Sequence, residues 1–329
     1  MIKRRTLLAA AAASPLARPA LAQSKVKVRF AGGGVALYGY MPFFVAIGQK
    51  LFDKHGIDAE IAMFPGGAKA MQAVIGGSSD IACGYYEHTI FMAAKGAKLT
   101  AFVLQAQNSG LVLGARKSLG YKTVADLKGG KIGVSAPGSA THLFAMQLFA
   151  KAGLKPTDFA AIGVGTTQTA VTAFDRGEID ALSLFDPIMM DLEQKGTVTI
   201  LADARDTAGS QAIFGGPYAS GSLYAQADWI EANQEACRRA AAAITDATKF
   251  LREATPAQAI GALEKGMCFV GAEVCEGAFT RNRDAFNQNG VITPEMAQTV
   301  RNMLASFDPT IANAKIDLAA TYTSRFVTS

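Results

Sequence analysis

Apolar residues follow two short-range patterns along this chain, one typical of strands and one of helices, and the two patterns alternate. Val26, Val28 and Phe30 alternate with polar neighbours, which predicts a first strand over residues 25–30. Pro42 then opens a helix that Gly56 closes. Further strands are predicted at residues 59–64, 99–105, 111–115, 131–134, 160–164 and 198–201, and further helices at residues 236–251, 256–265 and 294–306. This order of elements is typical of the α/β class.

One part of the pattern occurs twice, at residues 65–96 and again, one hundred positions later and without a gap, at residues 165–196. Gly77 corresponds to Gly177, and Asp80 corresponds to Asp180. A coincidence of Gly and Asp turns is the alternative, because such turns punctuate many α/β chains. Duplication of one supersecondary unit accounts better for the correspondence between the two copies along their whole length.

Each copy of the repeat reads as a loop, a helix, a short buried strand, a loop and a second helix. Ligands of open α/β sheets gather at the carboxyl ends of the strands. If the copies belong to two facing lobes, the loops at residues 85–88 and 185–187 face each other as well. The repeat therefore predicts a cleft with one wall in each lobe.

Two breaks in the pattern predict where the chain crosses between the lobes. A polar segment at residues 107–110 separates two apolar strands, and a second candidate crossing lies at residues 214–218. We expect one lobe to comprise residues 23–107 with 216–329, and the other to comprise residues 108–215.

The first 22 residues have the features of an export signal. They contain Lys3, Arg4, Arg5 and Arg18 without an acidic residue, then a short apolar stretch and small residues before Ala22. We expect cleavage after Ala22, by either the twin-arginine or the ordinary secretory route. The formal net charge of +5 falls to about +1 once this segment is removed, so no nucleic-acid partner is expected.

An exported protein can form disulfides, and this chain contains four cysteines. Cys268 and Cys275 are close enough for a local bridge, whereas Cys83 lies in an apolar strand and is expected to be a buried thiol. Their spacing is not that of a zinc site. Neither a metal nor a cofactor is expected.

Two loops offer groups that a small ligand could contact. Residues 31–34 precede Tyr38 and Tyr40, but no phosphate-binding motif is present there, so the alternatives are aromatic walls or a plain loop. Ser139 and Thr141 lie where a helix begins, and the free N–H groups of a helix start can hold an oxygen of a ligand. Simple capping is the other explanation.

Together these motifs resemble the substrate-binding proteins of ABC importers in the nitrate, sulfonate and taurine group, the NMT1/THI5-like family. The resemblance covers essentially the whole mature chain. It rests on Pro42-Phe43-Phe44, Gly76-Gly77-Ser78-Ser79-Asp80-Ile81-Ala82, Asp126-Leu127-Lys128-Gly129-Gly130-Lys131, Gly138-Ser139-Ala140-Thr141-His142 and Gly177-Glu178-Ile179-Asp180-Ala181.

The resemblance implies the type II periplasmic binding protein fold, which has two α/β lobes, two crossovers and a ligand cleft between the lobes. It also implies a monomeric periplasmic receptor that passes its solute to an inner-membrane permease and its ATPase. The residues expected to bind the solute are Tyr38, Tyr40, Phe64, Gly66, Tyr85, Glu87, His88, Ser135, Ser139, Thr141, His142, Thr166, Asp186 and Tyr218.

The chemistry of these loops favours a nitrogen-bearing solute. They contain no Lys or Arg, whereas Glu87 and Asp186 are acidic, so a fully ionised small anion would meet nearby carboxylates. Aromatic side chains in the same loops could stack on a ring or a cation. Glu87 and Asp186 could also simply cap the helices that follow them.

Two other classes of function remain as alternatives. A thiamine-precursor enzyme of the same fold would need a cysteine-rich motif, and a hydrolase would need a nucleophile beside one of the three histidines, His55, His88 and His142. Neither pattern is present, so no enzymatic activity is expected. A receptor that presents its solute to a membrane sensor is not distinguishable from a transport receptor by sequence.

Overall fold

A computed structural model describes residues 25–34, 38–264, 266–286 and 288–327 of the 329-residue chain. The predicted export segment lies outside these residues. The strands are β1 Val26–Gly32, β2 Ile57–Met63, β3 Ile81–Tyr85, β4 Leu99–Leu104, β5 Leu111–Arg116, β6 Lys131–Val134, β7 Ala160–Gly163, β8 Ala181–Phe185, β9 Val198–Asp203 and β10 Gly221–Gln226.

Helices follow most of the strands. The α-helices are α1 Met41–Gly48, α2 Leu51–Lys54, α3 Gly67–Ile75, α4 Glu87–Ala93, α5 Ala140–Lys151, α6 Gln168–Asp175, α7 Ile188–Gln194, α8 Thr207–Phe214, α9 Ala227–Ala232, α10 Gln234–Glu253, α11 Pro256–Gly261, α12 Ala272–Asn282, α13 Pro294–Ala305 and α14 Pro309–Asn313. Single 3₁₀ turns occupy Tyr38–Tyr40, Lys117–Leu119, Val124–Leu127, Arg283–Phe286 and Leu318–Thr321. Within the described part of the chain, no helix is both long and apolar enough to cross a membrane.

The strands form two sheets of the same design. One sheet has the order β2-β1-β3-β10-β4 and the other has the order β7-β6-β8-β5-β9. In each sheet the first three strands are parallel, and the fourth runs antiparallel to both of its neighbours. This arrangement confirms the predicted α/β class and its two lobes.

In each sheet, the antiparallel strand is the first strand after the chain crosses from the other half of the molecule. The chain leaves β4 and enters the second sheet as β5, and it leaves α8 and re-enters the first sheet as β10. The limits of the two lobes, at residues 107/108 and 215/216, stay our proposal. Buried apolar side chains of both sheets form one continuous cluster.

The two repeat copies have matching backbone and side-chain bonds. Gly77 and Gly177 both have left-handed backbones after their helices, with φ of 74° and 71°. The Asp80 carboxylate accepts a hydrogen bond from the backbone N–H of Arg29 at 2.8 Å, and Asp180 accepts one from Lys131 at 2.8 Å. Each aspartate thus joins the start of one strand to the neighbouring strand, which is the same function in each copy.

Two predicted helices differ from the observed ones. The helix expected from Pro42 to Gly56 is interrupted at Lys50, whose left-handed backbone (φ 54°) redirects the chain so that Leu51 and Phe52 pack into the core. The helix expected over residues 256–265 ends at Gly261. Cys268 and Cys275 form a disulfide, which their spacing allowed but did not require. Cys83 is a buried free thiol, as predicted.

The two repeat aspartates provide a test of the fold. The Asp80 carboxylate also accepts hydrogen bonds from the Arg29 guanidinium at 3.1 and 2.5 Å. Among the bonds described, the Asp180 carboxylate accepts only the one from the Lys131 N–H. We expect Asp80→Ala to lower the free energy of unfolding by about 2 kcal/mol and Asp180→Ala by about 1 kcal/mol, since charged hydrogen bonds contribute more. Urea denaturation of the two variants measures this difference. Equal losses, or a larger loss for Asp180→Ala, would show that the bonds to the Arg29 guanidinium add nothing to the bond that both copies share.

Candidate functional site

The two halves of the molecule meet at the start of helix α3. Its N-cap residue is Gly66, which has no side chain to bond the first free N–H groups. The Ser139 hydroxyl of the other half instead accepts a hydrogen bond from the Ala68 N–H at 3.0 Å. A methyl group added at Gly66 would lie only 2.7 Å from the Ser139 oxygen and 2.9 Å from that of Ser135. Only glycine therefore permits this close approach of the two halves.

Hydroxyl groups on the second half are held in a fixed row beside this contact. The Thr141 hydroxyl accepts from the Ser135 N–H at 3.0 Å and lies 2.9 Å from the Ser135 hydroxyl. The Thr141 carbonyl accepts from the Ser183 hydroxyl at 2.7 Å. These bonds place Ser135, Ser139 and Thr141 together at the start of α5.

His88 faces this wall from the first half. Its Nδ1 lies 3.0 Å from the Tyr224 hydroxyl, while its buried Nε2 has no hydrogen-bond partner among the described residues. Burial lowers the pKa of His88 to about 4, and the Gly138 backbone across the cleft opposes that shift. A side chain at Gly67 would meet the His88 ring at 2.6 Å. His88 is therefore a neutral group between the two halves.

Glu87 precedes His88 and is completely buried. Its Oε2 accepts a hydrogen bond from the Tyr218 hydroxyl at 3.0 Å, and its Oε1 has no partner among the described residues. Burial raises the pKa of Glu87 to about 8, although the bond from Tyr218 lowers it. The carboxyl group is consequently protonated at neutral pH.

Aromatic rings surround this pair of residues. The ring centroids of Tyr40 and Tyr85 are 5.5 Å apart, and Phe185 of the second half lies 5.5 Å from Tyr85. The Tyr85 hydroxyl donates to the Ser109 carbonyl, in the first segment between the halves, at 2.6 Å. Tyr218, in the second such segment, stacks on Phe214 at 4.1 Å. The aromatic wall thus touches both halves and both connections.

A groove opens at the outer end of the same boundary. It has a volume of about 680 Å³ and contains two predicted site residues, Phe64 from the first half and Thr166 from the second. Met63 and Ile162, which are among the more exposed large apolar side chains, flank it from opposite sides. Phe64 and Pro65 join this groove to the contact at Gly66.

Asp186 belongs to an ion-pair network inside the protein, which the sequence analysis did not predict. Its oxygens accept from the Arg205 guanidinium at 3.2 Å, from the Asn282 amide at 2.8 Å and from the Met190 N–H at 2.9 Å. Both oxygens therefore have partners within the protein. The bond from the Met190 N–H caps the first turn of α7, which is the alternative to ligand binding that the sequence left open for Asp186.

Arg205 is the centre of that network. It is fully buried, and it also contacts Glu193 at 2.5 Å and Asp203 at 2.6 Å. Burial alone would lower the pKa of Arg205, but the bond to Asp203 and the charge of Asp186 raise it overall. Arg205 lies 19 residues from Asp186 in the sequence. No local sequence pattern therefore predicts that the two side chains form an ion pair.

Two further predicted residues also make contacts within the protein. The Tyr38 hydroxyl donates to the Cys275 carbonyl beside the disulfide. His142 accepts from the Gly138 N–H at 3.0 Å, and its ring packs edge-on against Phe159 at 5.8 Å. These contacts favour a His142 side chain that packs inside the protein over one that donates to a solute.

The described residues contain no cluster of His, Cys, Asp or Glu that could hold a metal ion. Tyr224 was missed by the sequence reading, although it bonds His88. It lies on β10, and only the return of that strand to the first sheet brings it beside β3. The chemistry available here is hydrogen bonding by neutral hydroxyl, imidazole and carboxyl groups against aromatic walls.

The Glu87 carboxyl gives the stability of the protein a characteristic pH dependence. An unfolded Glu loses its proton near pH 4.5, whereas the folded one keeps it to about pH 8, so this stabilisation is lost as the pH rises. Between pH 7 and 8 the wild-type free energy of unfolding should fall by roughly 1 kcal/mol. Urea denaturation at both pH values measures it, and Glu87→Gln should remove most of the fall. An identical fall in the variant would show that Glu87 does not cause it.

Comparisons with known proteins agree with this architecture. The family described as NMT1/THI5 like matches residues 39–259. A candidate binding protein of Brucella abortus is 30% identical over 263 residues, which cover 79% of this chain and 77% of that protein. A solved structure from Bordetella bronchiseptica RB50 is 38% identical, with a TM-score of 0.89 and coverage of 92% and 96%. The alkanesulfonate-binding protein SsuA from Xanthomonas axonopodis pv. citri, bound to MOPS, is 18% identical, with a TM-score of 0.72 and coverage of 92% and 100%, and so shares the fold. The chain belongs to the NMT1/THI5-like family.

Proposed function

We propose that this protein is the solute-binding receptor of an ABC importer, which captures a small nitrogen-bearing solute between its two lobes. The observation that carries the proposal is a pair of neighbouring buried polar atoms where the halves meet, Glu87 Oε1 and His88 Nε2, for which the described residues provide no hydrogen bond of normal geometry. A buried polar atom without such a bond costs free energy, and these two are the adjacent ones among several described side-chain atoms of this kind. A solute bound between the halves would bond both atoms.

Relatives support the class of function. The SsuA protein named above binds alkanesulfonates, and another protein of the same fold is the periplasmic nitrate-binding protein NrtA from Synechocystis PCC 6803. By analogy we assign this chain a periplasmic location after cleavage behind Ala22, with an inner-membrane permease and its ATPase as partners. We further propose that it acts as a monomer and carries out no chemical step.

The proposed mechanism is capture by closure. The solute first binds one lobe, and bending at residues 107–110 and 215–218 then brings the other lobe over it. We assign to the closed form the bond from the Ala68 N–H to Ser139 and the close approach of Gly66 to Ser135. The closed form would be the one that docks on the permease.

The structure weakens the expected repulsion between the site and an anionic solute. At neutral pH the Glu87 carboxyl is protonated, and Asp186 is paired with Arg205, so the repulsion of an anion is weaker than the sequence suggests. A nitrogen-bearing solute still fits better, because no Lys or Arg lies in the predicted ligand-facing loops and Tyr40, Tyr85 and Tyr218 surround Glu87. We assign Asp186 to the protein's own ion pairs and not to the solute.

A screen of the mature protein tests the receptor proposal directly. Thermal melting would be measured against sulfonates, nitrate, aromatic carboxylates, amino acids, pyrimidines, amines and flavins, because a ligand of the folded state raises the melting temperature. Mass spectrometry of the denatured extract would identify a solute that co-purifies. A shift with one class, or one stoichiometric solute in the extract, is expected. Neither a shift nor a co-purified solute would overturn the receptor proposal.

The contact at Ser139 gives a mutational prediction. Ser139→Ala removes the hydroxyl that bonds the Ala68 N–H, and one hydrogen bond contributes roughly 1 kcal/mol. The dissociation constant of the identified solute should therefore rise about fivefold in calorimetry. Ser118→Ala is the matched control, because it removes an exposed hydroxyl in the turn Lys117–Leu119, and it should bind the solute like the wild type. Unchanged affinity in Ser139→Ala would remove this residue from the closure mechanism.

A further inference from the structure

Glu87 is enclosed by groups that are neutral at physiological pH. Tyr40, Cys83, Tyr85 and Tyr224 lie on the 3₁₀ turn and strands around it, Tyr218 lies on the second connection, and His88 follows it on α4. Burial raises the pKa of the tyrosines and of the thiol, and it lowers that of His88. Among the described residues, no Lys or Arg forms an ion pair with Glu87.

This enclosure distinguishes Glu87 from Asp186, the other acid whose side chain is completely buried among the described residues. Asp186 is equally buried, but the Arg205 guanidinium lies 3.2 Å from it and balances its charge. The protein thus supplies a cation to one buried carboxyl and none to the other. A carboxyl group without a cationic partner keeps its proton, because an isolated buried charge is costly.

The arrangement around Glu87 is suited to an external cation. One oxygen is held by Tyr218, which fixes the direction of the carboxyl group, and the other oxygen has no partner among the described residues. Tyrosine rings attract a positive charge within about 6 Å of a ring face. Tyr40, Tyr85, Tyr218 and Tyr224 all lie close enough to Glu87 to affect its electrostatics. A positive solute would provide the charge that the protein itself omits.

We propose that the site takes an organic cation, such as a quaternary or protonated amine, in exchange for the proton of Glu87. The inference rests on the proposed receptor function and specifies its solute class. The buried charge is conserved in the exchange, because one positive charge enters as the cation and one leaves as the proton, which passes to the buffer. Solute binding therefore releases close to one proton per site.

Choline is the probe that separates this exchange from other proton effects. Its quaternary nitrogen carries no proton, so any proton released on binding comes from the protein. Calorimetric titration of the full mature chain in buffers of different ionisation enthalpy measures the number released. We expect about one proton per choline at pH 7, and an affinity that rises roughly tenfold per pH unit up to about pH 8 and then levels off.

Matched controls locate the source of the proton. The neutral isostere 3,3-dimethylbutan-1-ol has the shape of choline without its charge, so it should bind at least tenfold more weakly and release no proton. Glu87→Gln keeps the shape of the side chain but has no proton to give, and it should lose choline binding at least tenfold together with the proton release. Glu295→Gln, an exposed acid at the start of α13, should behave as the wild type.

The outcomes separate this inference from the receptor proposal. Choline binding without proton release, or with the same release in Glu87→Gln, would overturn the exchange. No choline binding, together with a neutral or anionic solute in the extract, would overturn the cation class and leave the receptor function standing. Circular dichroism of Glu87→Gln confirms that the variant is folded, so that lost binding counts as evidence for the exchange.

Discussion

The constraint on which this structure depends is the double crossing of the chain between its two sheets. β5 enters the second sheet between β8 and β9 as soon as the chain leaves the first, and β10 enters the first sheet between β3 and β4 when the chain returns. Neither sheet is complete without the antiparallel strand that follows a crossing. The two halves are therefore tied to each other by two connections.

The polar groups where the two halves meet depend on the second crossing of the chain. Tyr218 bonds Glu87 from the second connection, and Tyr224 bonds His88 from the returning strand. The acid and the imidazole lie on α4 of the first repeat, so the cleft combines residues that are distant in sequence. Across it, the start of α5 supplies hydroxyls, and Ser139 bonds the first turn of α3. The site is largely uncharged at neutral pH, because burial keeps Glu87 protonated and His88 neutral.

Much of the fold could be predicted from sequence because it depends on local signals. Glycines with left-handed backbones mark the ends of helices at Gly77 and Gly177, and buried strands follow each of them. Contacts between distant segments could not be predicted in this way. Arg205 is 19 residues from Asp186, and Asn282 is 96 residues from it, so an aspartate expected in the cleft is bonded inside the protein instead. The break at Lys50 was missed as well, because packing of Leu51 and Phe52 outweighs helix continuity there.

The central claim is that a solute is held by closure of the two lobes, and a distance across the cleft tests it most directly. Spin labels at Lys69→Cys on α3 and Gln168→Cys on α6, both exposed positions on opposite halves, would report that distance by double electron–electron resonance. After removal of any bound solute by unfolding and refolding, the account predicts a long, broad distribution. Adding the co-purified solute back should give one shorter, narrower distance. A distribution unchanged by the solute would contradict capture by closure.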